Sequence, residues 1–237
     1  RQDNPNSIST CLERARENAR TIRERISREM WEDINGLYHQ VRSFGTDEEV
    51  HRFCNIVKFG SHRFRGVTDA TLTHDEAWQF LRTGWALERA EMTARIVDVQ
   101  YHRLVDRPDM DTDDHHQWMA VLKSVGAFEA YCRLHRSRIE PQAVAELLIL
   151  HPDHPRSIRF NMTELQAGLR AISGTGVGAY ANEAERLTGK LLESLRYGRM
   201  SDVFHLGLHE YLTDLQKTCC EIGEQIGRAY FHYGVAG

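Results

Sequence analysis

Apolar residues recur at intervals of three and four along almost the whole chain, and that spacing constrains the fold more than any other feature. Ile8, Leu12, Ala15, Ala19, Ile22 and Ile26 fall on one stripe of a helix. Met30, Ile34, Leu37, Tyr38 and Val41 resume the pattern after a break near Ser27, within a helical stretch over residues 7–42 that Ser7 is placed to cap. No run alternates β-branched and polar residues between turn signals, so no strand is expected. The fold class is therefore all-α, a compact multi-helix bundle of about eight helices.

The remaining helices follow from caps and breakers. Thr46 with Glu49 reads as a capping box opening a helix over Val50 to Phe64, and Thr73 with Glu76 as another opening a long helix from Asp75 to about Val105. The long stripe is Ala77, Phe80, Leu81, Gly84, Leu87, Ala90, Ala94, Val97 and Tyr101. Pro108 and the acidic run from Asp109 to Asp114 separate it from a helix reaching about Arg136. Further helices are expected over Pro141 to Leu150, Ser157 to Ile172, Ala179 to Tyr197 and Ser201 to about Tyr233.

The chain also resembles itself. Leu12-Glu-Arg-Ala-Arg-Glu-Asn-Ala-Arg20 aligns with Leu87-Glu-Arg-Ala-Glu-Met-Thr-Ala-Arg95 at six of nine positions, an offset of 75. Asp3-Asn-Pro-Asn-Ser-Ile8 aligns with Asp153-His-Pro-Arg-Ser-Ile158 at an offset of 150. Commensurate offsets predict a helical unit of about 75 residues used three times, over 1–75, 76–150 and 151–225, in a single helical domain spanning 1–237. A weak repeat suits one bundle better than an open solenoid.

Composition excludes several functions. A net charge of −4 argues against a general nucleic-acid binder, and no apolar run approaches the roughly 20 residues a membrane helix needs. No nucleic-acid or membrane partner is expected. Cys11, Cys54, Cys132, Cys219 and Cys220 are odd in number and form no CxxC pair; without a signal sequence they point to reduced thiols and a cytoplasmic location. The basic residues are 26 arginines against 4 lysines, a bias that suits bridging ion pairs and equally follows from a GC-rich genome.

The sharpest chemical signal is the repeated Glu-Arg dipeptide. Glu13 lies about 100° round the helix from Leu12, and Arg20, seven residues on, returns to the same side; Glu88 and Arg95 repeat this geometry. Arg14 and Arg89 fall further outward. Glu13, Arg14, Arg20, Glu88, Arg89 and Arg95 are thus candidates either for ion pairs that fix helix register or for a charged interhelical cavity that binds a carboxylate, phosphate or amine. His205 and His209, four apart with Asp202 a turn earlier, are a weaker metal candidate, and no metal or other cofactor is expected. Glu48 and His51 lack the second Glu-x-x-His of a di-iron bundle. Gly174-x-Gly-x-Gly178 has neither a preceding strand nor the Lys-Ser/Thr of a phosphate loop and reads as a turn. The mixed charges of Arg14 to Glu29 read as a solvated face.

Several segments together resemble the Alpha-E family, a bacterial all-helical family known for a Glu-Arg motif and otherwise of unknown function. They are Asn4-Pro-Asn-Ser-Ile8, Arg14-Ala-Arg-Glu-Asn-Ala-Arg20, Phe80-Leu81, Leu87-Glu-Arg-Ala90, Thr93-Ala-Arg95, Val121-Leu-Lys-Ser-Val125 and Pro155-Arg-Ser-Ile158. By that resemblance Glu13, Arg14, Glu88 and Arg89 match the family motif. Members usually carry a further N-terminal segment with its own motif, so a unit before Arg1 is expected to be missing here. The family's genes sit beside or fuse to circularly permuted ATP-grasp ligases and transglutaminase-like peptidases. The resemblance therefore implies an ATP-grasp ligase or a transglutaminase-like protein as partner, and a place in peptide or amide-bond synthesis. Two expectations follow. One is a non-catalytic helical partner or accessory module of such a ligase system. The other is an enzyme whose interhelical Glu/Arg cavity handles a peptide or amino-acid-like substrate.

Overall fold

The computed structural model describes residue 4 and residues 7–44, 50–105, 113–135 and 138–231. Among them are eleven α-helices and no strand: α1 (Ile8–Thr21), α2 (Arg28–Arg42), α3 (Val50–Thr71), α4 (Glu76–Val105), α5 (Asp113–Ser124), α6 (Phe128–Leu134), α7 (Pro141–Ile149), α8 (Ile158–Ser173), α9 (Glu183–Tyr197), α10 (Met200–Leu206) and α11 (Leu208–Ile226). The chain divides into two compact units, Arg1–Trp78 and Gln79–Gly237.

In the first unit α2 packs against both α1 and α3. Its two sides are therefore covered, and Met30, Ile34, Leu37, Tyr38 and Val41 are all buried. Among the described residues α1 packs chiefly against α2, and its predicted stripe is buried just at Leu12 and Ala19, while Ile8 and Ile22 are 41% and 47% exposed. Phe53, Ile56, Val57 and Phe64 of α3 close this small core. The Ser7 and Ser27 hydroxyls accept from Thr10 N at 3.2 Å and Met30 N at 3.1 Å, so each serine satisfies an amide that its helix leaves without a partner.

The second unit has the larger core. Helix α7 is buried at five of its nine positions, among them Val144, Leu148 and Ile149, as a central helix must be. Helix α8 contributes Ile158, Met162, Leu165 and Leu169, and α11 contributes Leu208, Leu212, Leu215, Cys219 and Ile222 at strict four-three spacing. The buried face of α4 is built mostly from small residues, Thr83, Ala86, Ala90, Thr93, Ala94 and Val97, with Gln100 near its end. Helix α8 uses that smallness. A Cβ at Gly168 would stand 2.5 Å from Thr83 Cγ2, so only glycine allows this approach. Buried hydroxyls and an amide pin the α7–α8 loop: Thr93 Oγ1 donates to Arg156 O at 3.0 Å, and Asn161 Nδ2 to Pro155 O at 3.0 Å and Ser157 O at 2.7 Å.

Helix ends account for most departures from the sequence reading and for eleven helices in place of about eight. Asp75, not Thr73, caps α4, its Oδ1 accepting from Ala77 N at 3.0 Å. Helix α3 runs on past Phe64 to Thr71. The helix expected to reach Arg136 is broken at Gly126, whose φ of +67° lies in the left-handed region that glycine adopts without strain. Helix α9 starts at Glu183 rather than Ala179, because the Asn182 side chain accepts from Glu185 N at 3.1 Å. The last expected helix is two, separated at Gly207 (φ +109°). Thr46, Glu49, Pro108, the start of the acidic run (109–112), Arg136 and Tyr233 lie outside the described residues.

Candidate functional site

On α1 the motif residues Glu13 and Arg14, and Arg20 with them, are exposed. The expected pairing of Glu13 with Arg20 is replaced by a shorter one: Arg20 Nε and Nη2 donate to Glu17 at 2.5–3.1 Å. Seven residues are two helical turns, about 10 Å of rise, whereas residues three apart are neighbours. The Arg20 guanidinium holds the Glu17 carboxyl below the usual range. The arginine that turns inward is Arg16, between Leu12 and Ala19. Its Nε donates to Asn35 Oδ1 at 2.7 Å, and its guanidinium lies 5.6 Å and 4.9 Å from the ring centres of Trp31 and Tyr38.

Glu13 instead faces a cleft of about 450 Å³ in the first unit. Helix α1 and its cap supply Ser7, Ser9, Thr10 and Glu13; α2 supplies Tyr38 and Arg42. Val41 and Phe44 add apolar surface. Arg42 Nη1 donates to Tyr38 Oη at 2.7 Å. Among the described residues the Glu13 carboxylate has no hydrogen-bond or ion-pair partner, and no ion pair joins it to Arg42.

In the second unit Glu88 is exposed and Arg89 half-buried. Arg95 pairs with Glu91 at 2.5 Å, one turn back, and not with Glu88 as the repeat geometry suggested. Glu91 belongs to a polar seam between α4 and α11. Its Oε1 also lies 3.8 Å from Cys220 Sγ; further along, His209 Nδ1 donates to Asp98 Oδ1 at 2.7 Å and Gln216 Nε2 to Asp98 Oδ2 at 3.4 Å. The Asp98 hydrogen bond raises the His209 pKa. On another face of α4, Arg95 borders an open groove of about 380 Å³ between α4 and α5, whose apolar residues include Met92, Ile96, Val99 and Val121.

The histidine pair does not stand as expected. His205 lies in the last turn of α10 and His209 in α11, so the helical break at Gly207 interrupts the continuous four-residue register. His209 is bound to Asp98 instead. Among the described residues no three His, Cys, Asp or Glu side chains group so as to hold a metal. Burial pushes the Cys219 thiol up to about 12, and partial burial with Glu91 nearby raises that of Cys220.

Four functional-looking contacts escaped the sequence reading. Arg16 had a readable signal, its place inside the buried stripe. Arg42 sits one residue past Val41 at the end of a capped helix, a position that carries no signal alone. Arg82 and Glu164, which bridge α4 and α8, and Asp98 with His209, are 82 and 111 residues apart and meet only through the tertiary fold.

Fold and site together define an all-helical protein with Glu-Arg dipeptides on α1, where both residues are exposed, and on α4, where Glu88 is exposed and Arg89 half-buried. A family model, Alpha-E, described as a predicted alpha-helical domain with a conserved ER motif, matches residues 1–231, and the chain belongs to that family. No curated protein and no solved structure matches it. No helix among the described residues is long and apolar enough to cross a membrane.

Proposed function

We propose that the chain is a non-catalytic helical partner of an ATP-grasp-type peptide or amide ligase system, and that it docks through the groove beside Arg95. The observation that carries this reading is the pairing of apolar and charged surface on one side of α4. Met92 and Val99 are 36% and 54% exposed two turns apart, and Arg95 with Glu91 supplies a charged edge between them. Half-exposed apolar residues with a charged rim are the make-up of a protein-protein contact. The ligase as partner comes from the family's gene neighbourhood. The repeat of about 75 residues enters the proposal as the source of the two Glu-Arg motifs.

The test is a binding measurement between the full chain and an ATP-grasp ligase of the kind found in the family's gene neighbourhood. Submicromolar association is expected, weakened at least tenfold by Val99→Asp with Met92→Asp, and changed in its salt dependence by Arg95→Glu. No association, or undiminished association of the Asp variants, overturns the reading. The alternative, an enzyme acting on a peptide or amino-acid-like substrate, is favoured by one observation: the cleft with Glu13 and Arg42 on its two helical walls.

A further inference from the structure

The cleft of the first unit holds two opposite charges that do not neutralise each other. Glu13 comes from α1 and Arg42 from α2, and both line the same space of about 450 Å³ without forming an ion pair. Several exposed Glu and Arg side chains elsewhere in this chain pair locally, as Arg20 does with Glu17, Arg95 with Glu91 and Arg186 with Glu183. Here the guanidinium spends one donor on the Tyr38 hydroxyl, a bond that fixes its direction and leaves further N–H groups for a ligand. Ser7 and Thr10 share a hydroxyl contact of 2.8 Å on the α1 wall, so the N-terminal end of that wall is held as well.

We infer that this cleft binds a short zwitterion, a free amino acid or dipeptide, with its ammonium group at Glu13 and its carboxylate at Arg42. The carboxylate matches the planar fork of the guanidinium, and the ammonium matches an acceptor-only Glu. A ligand with one charge leaves either Glu13 or Arg42 unanswered. The volume lies within the roughly 300–1,000 Å³ of small-molecule sites and is too small for a folded partner. Val41 and Phe44 offer contact for a small apolar side chain, and the hydroxyls of Ser9 and Thr10 suit the polar backbone of the ligand. The site would serve the enzyme reading as its substrate subsite. It stands as a ligand site if no turnover is found, and it does not depend on the groove beside Arg95.

The experiment is a titration of the full, isotope-labelled chain with alanyl-alanine, its N-acetylated form and its C-amidated form, followed by nuclear magnetic resonance and calorimetry. Alanyl-alanine is expected to bind with a millimolar or tighter Kd and to shift the amides of Thr10, Glu13 and Arg42. Each blocked form should bind at least about tenfold more weakly, the loss of one charge-assisted contact. Glu13→Gln should abolish discrimination against the N-acetylated form and Arg42→Met discrimination against the C-amidated form, with Arg42→Lys restoring part of it. Thermal unfolding of each variant checks that the fold is intact; both side chains are exposed, so little change is expected. Equal binding of all three probes, no binding, or inorganic phosphate displacing the dipeptide overturns the inference.

Discussion

Asp98 and His209 are 111 residues apart in sequence and 2.7 Å apart in space, Oδ1 to Nδ1. Asp98 is held from two sides, because Gln216 reaches its other oxygen. A half-buried carboxylate in contact with an imidazole prefers the imidazolium, and the hydrogen bond raises the His209 pKa above its ordinary value. The pair thus ties α4 to α11 through a bond whose strength depends on a proton.

The sign of its pH dependence follows. A histidine whose folded pKa exceeds its unfolded value of about 6.5 contributes stability that is fully present below that value, while Asp98 is ionised. The contribution is lost as pH rises through the raised folded value. The melting temperature of the native chain relative to His209→Gln should therefore be higher near pH 6 and converge with it by about pH 9. A pH-independent difference between the two would refute the linkage.

Arg82 and Glu164 join α4 to α8, with Arg82 Nε 3.0 Å from Glu164 Oε2 and each side chain 29% exposed. Arg20 and Glu17 are 62% and 51% exposed on a single helix. A double-mutant cycle with Arg82→Met and Glu164→Gln should give a coupling of about 1–2 kcal/mol, and the same cycle on Arg20 and Glu17 a clearly smaller one. Equal couplings would mean that burial does not separate the two pairs.

Two glycines on packed and open surface should respond with opposite sign. An added methyl at Gly168 meets Thr83 Cγ2, and Thr83 is held by its own bond to Phe80 O at 2.8 Å. Gly168→Ala should cost about 1–3 kcal/mol in denaturant unfolding. At Gly84, inside α4, an added Cβ meets nothing within 4 Å, and Gly84→Ala should stabilise by about 0.5–1 kcal/mol.

Thiol reactivity should follow burial. Cys11, Cys54, Cys132 and Cys220 are exposed, whereas Cys219 is buried with its thiol pushed up to about 12. Alkylation at pH 7.5, mapped by mass spectrometry, should label Cys11, Cys54 and Cys132 first, Cys220, whose thiol is raised, more slowly, and Cys219 only after unfolding. Early labelling of Cys219 would contradict the packing of α11.

The all-helical class, the α2 stripe and the Ser7 cap were legible in the sequence because they are local: 3.6-residue periodicity and a hydroxyl three residues from an amide need no tertiary information. The burial of α1 was not, since how much of an apolar stripe is covered depends on how many helices lie against it. The same limit applies to the motif. Spacing said only that Glu13 and Arg20 share a side of an ideal helix, and reach along the axis decided that Arg20 binds Glu17. Arg42 became visible as a site residue only when α2 was laid beside α1. The histidine pair failed for the opposite reason, a local break at Gly207 that the four-residue spacing concealed.

Gly207 has φ +109° and ψ 117°, and a Cβ there would run into the Glu210 carboxylate. The residue works as a joint between two screws. Helix α10 delivers Met200 and Val203 to the core, α11 begins afresh at Leu208, and the rotational phase of one is not passed to the other. His209 takes its direction from α11, so its contact with Asp98 of α4 depends on the phase of α11 and not on that of α10.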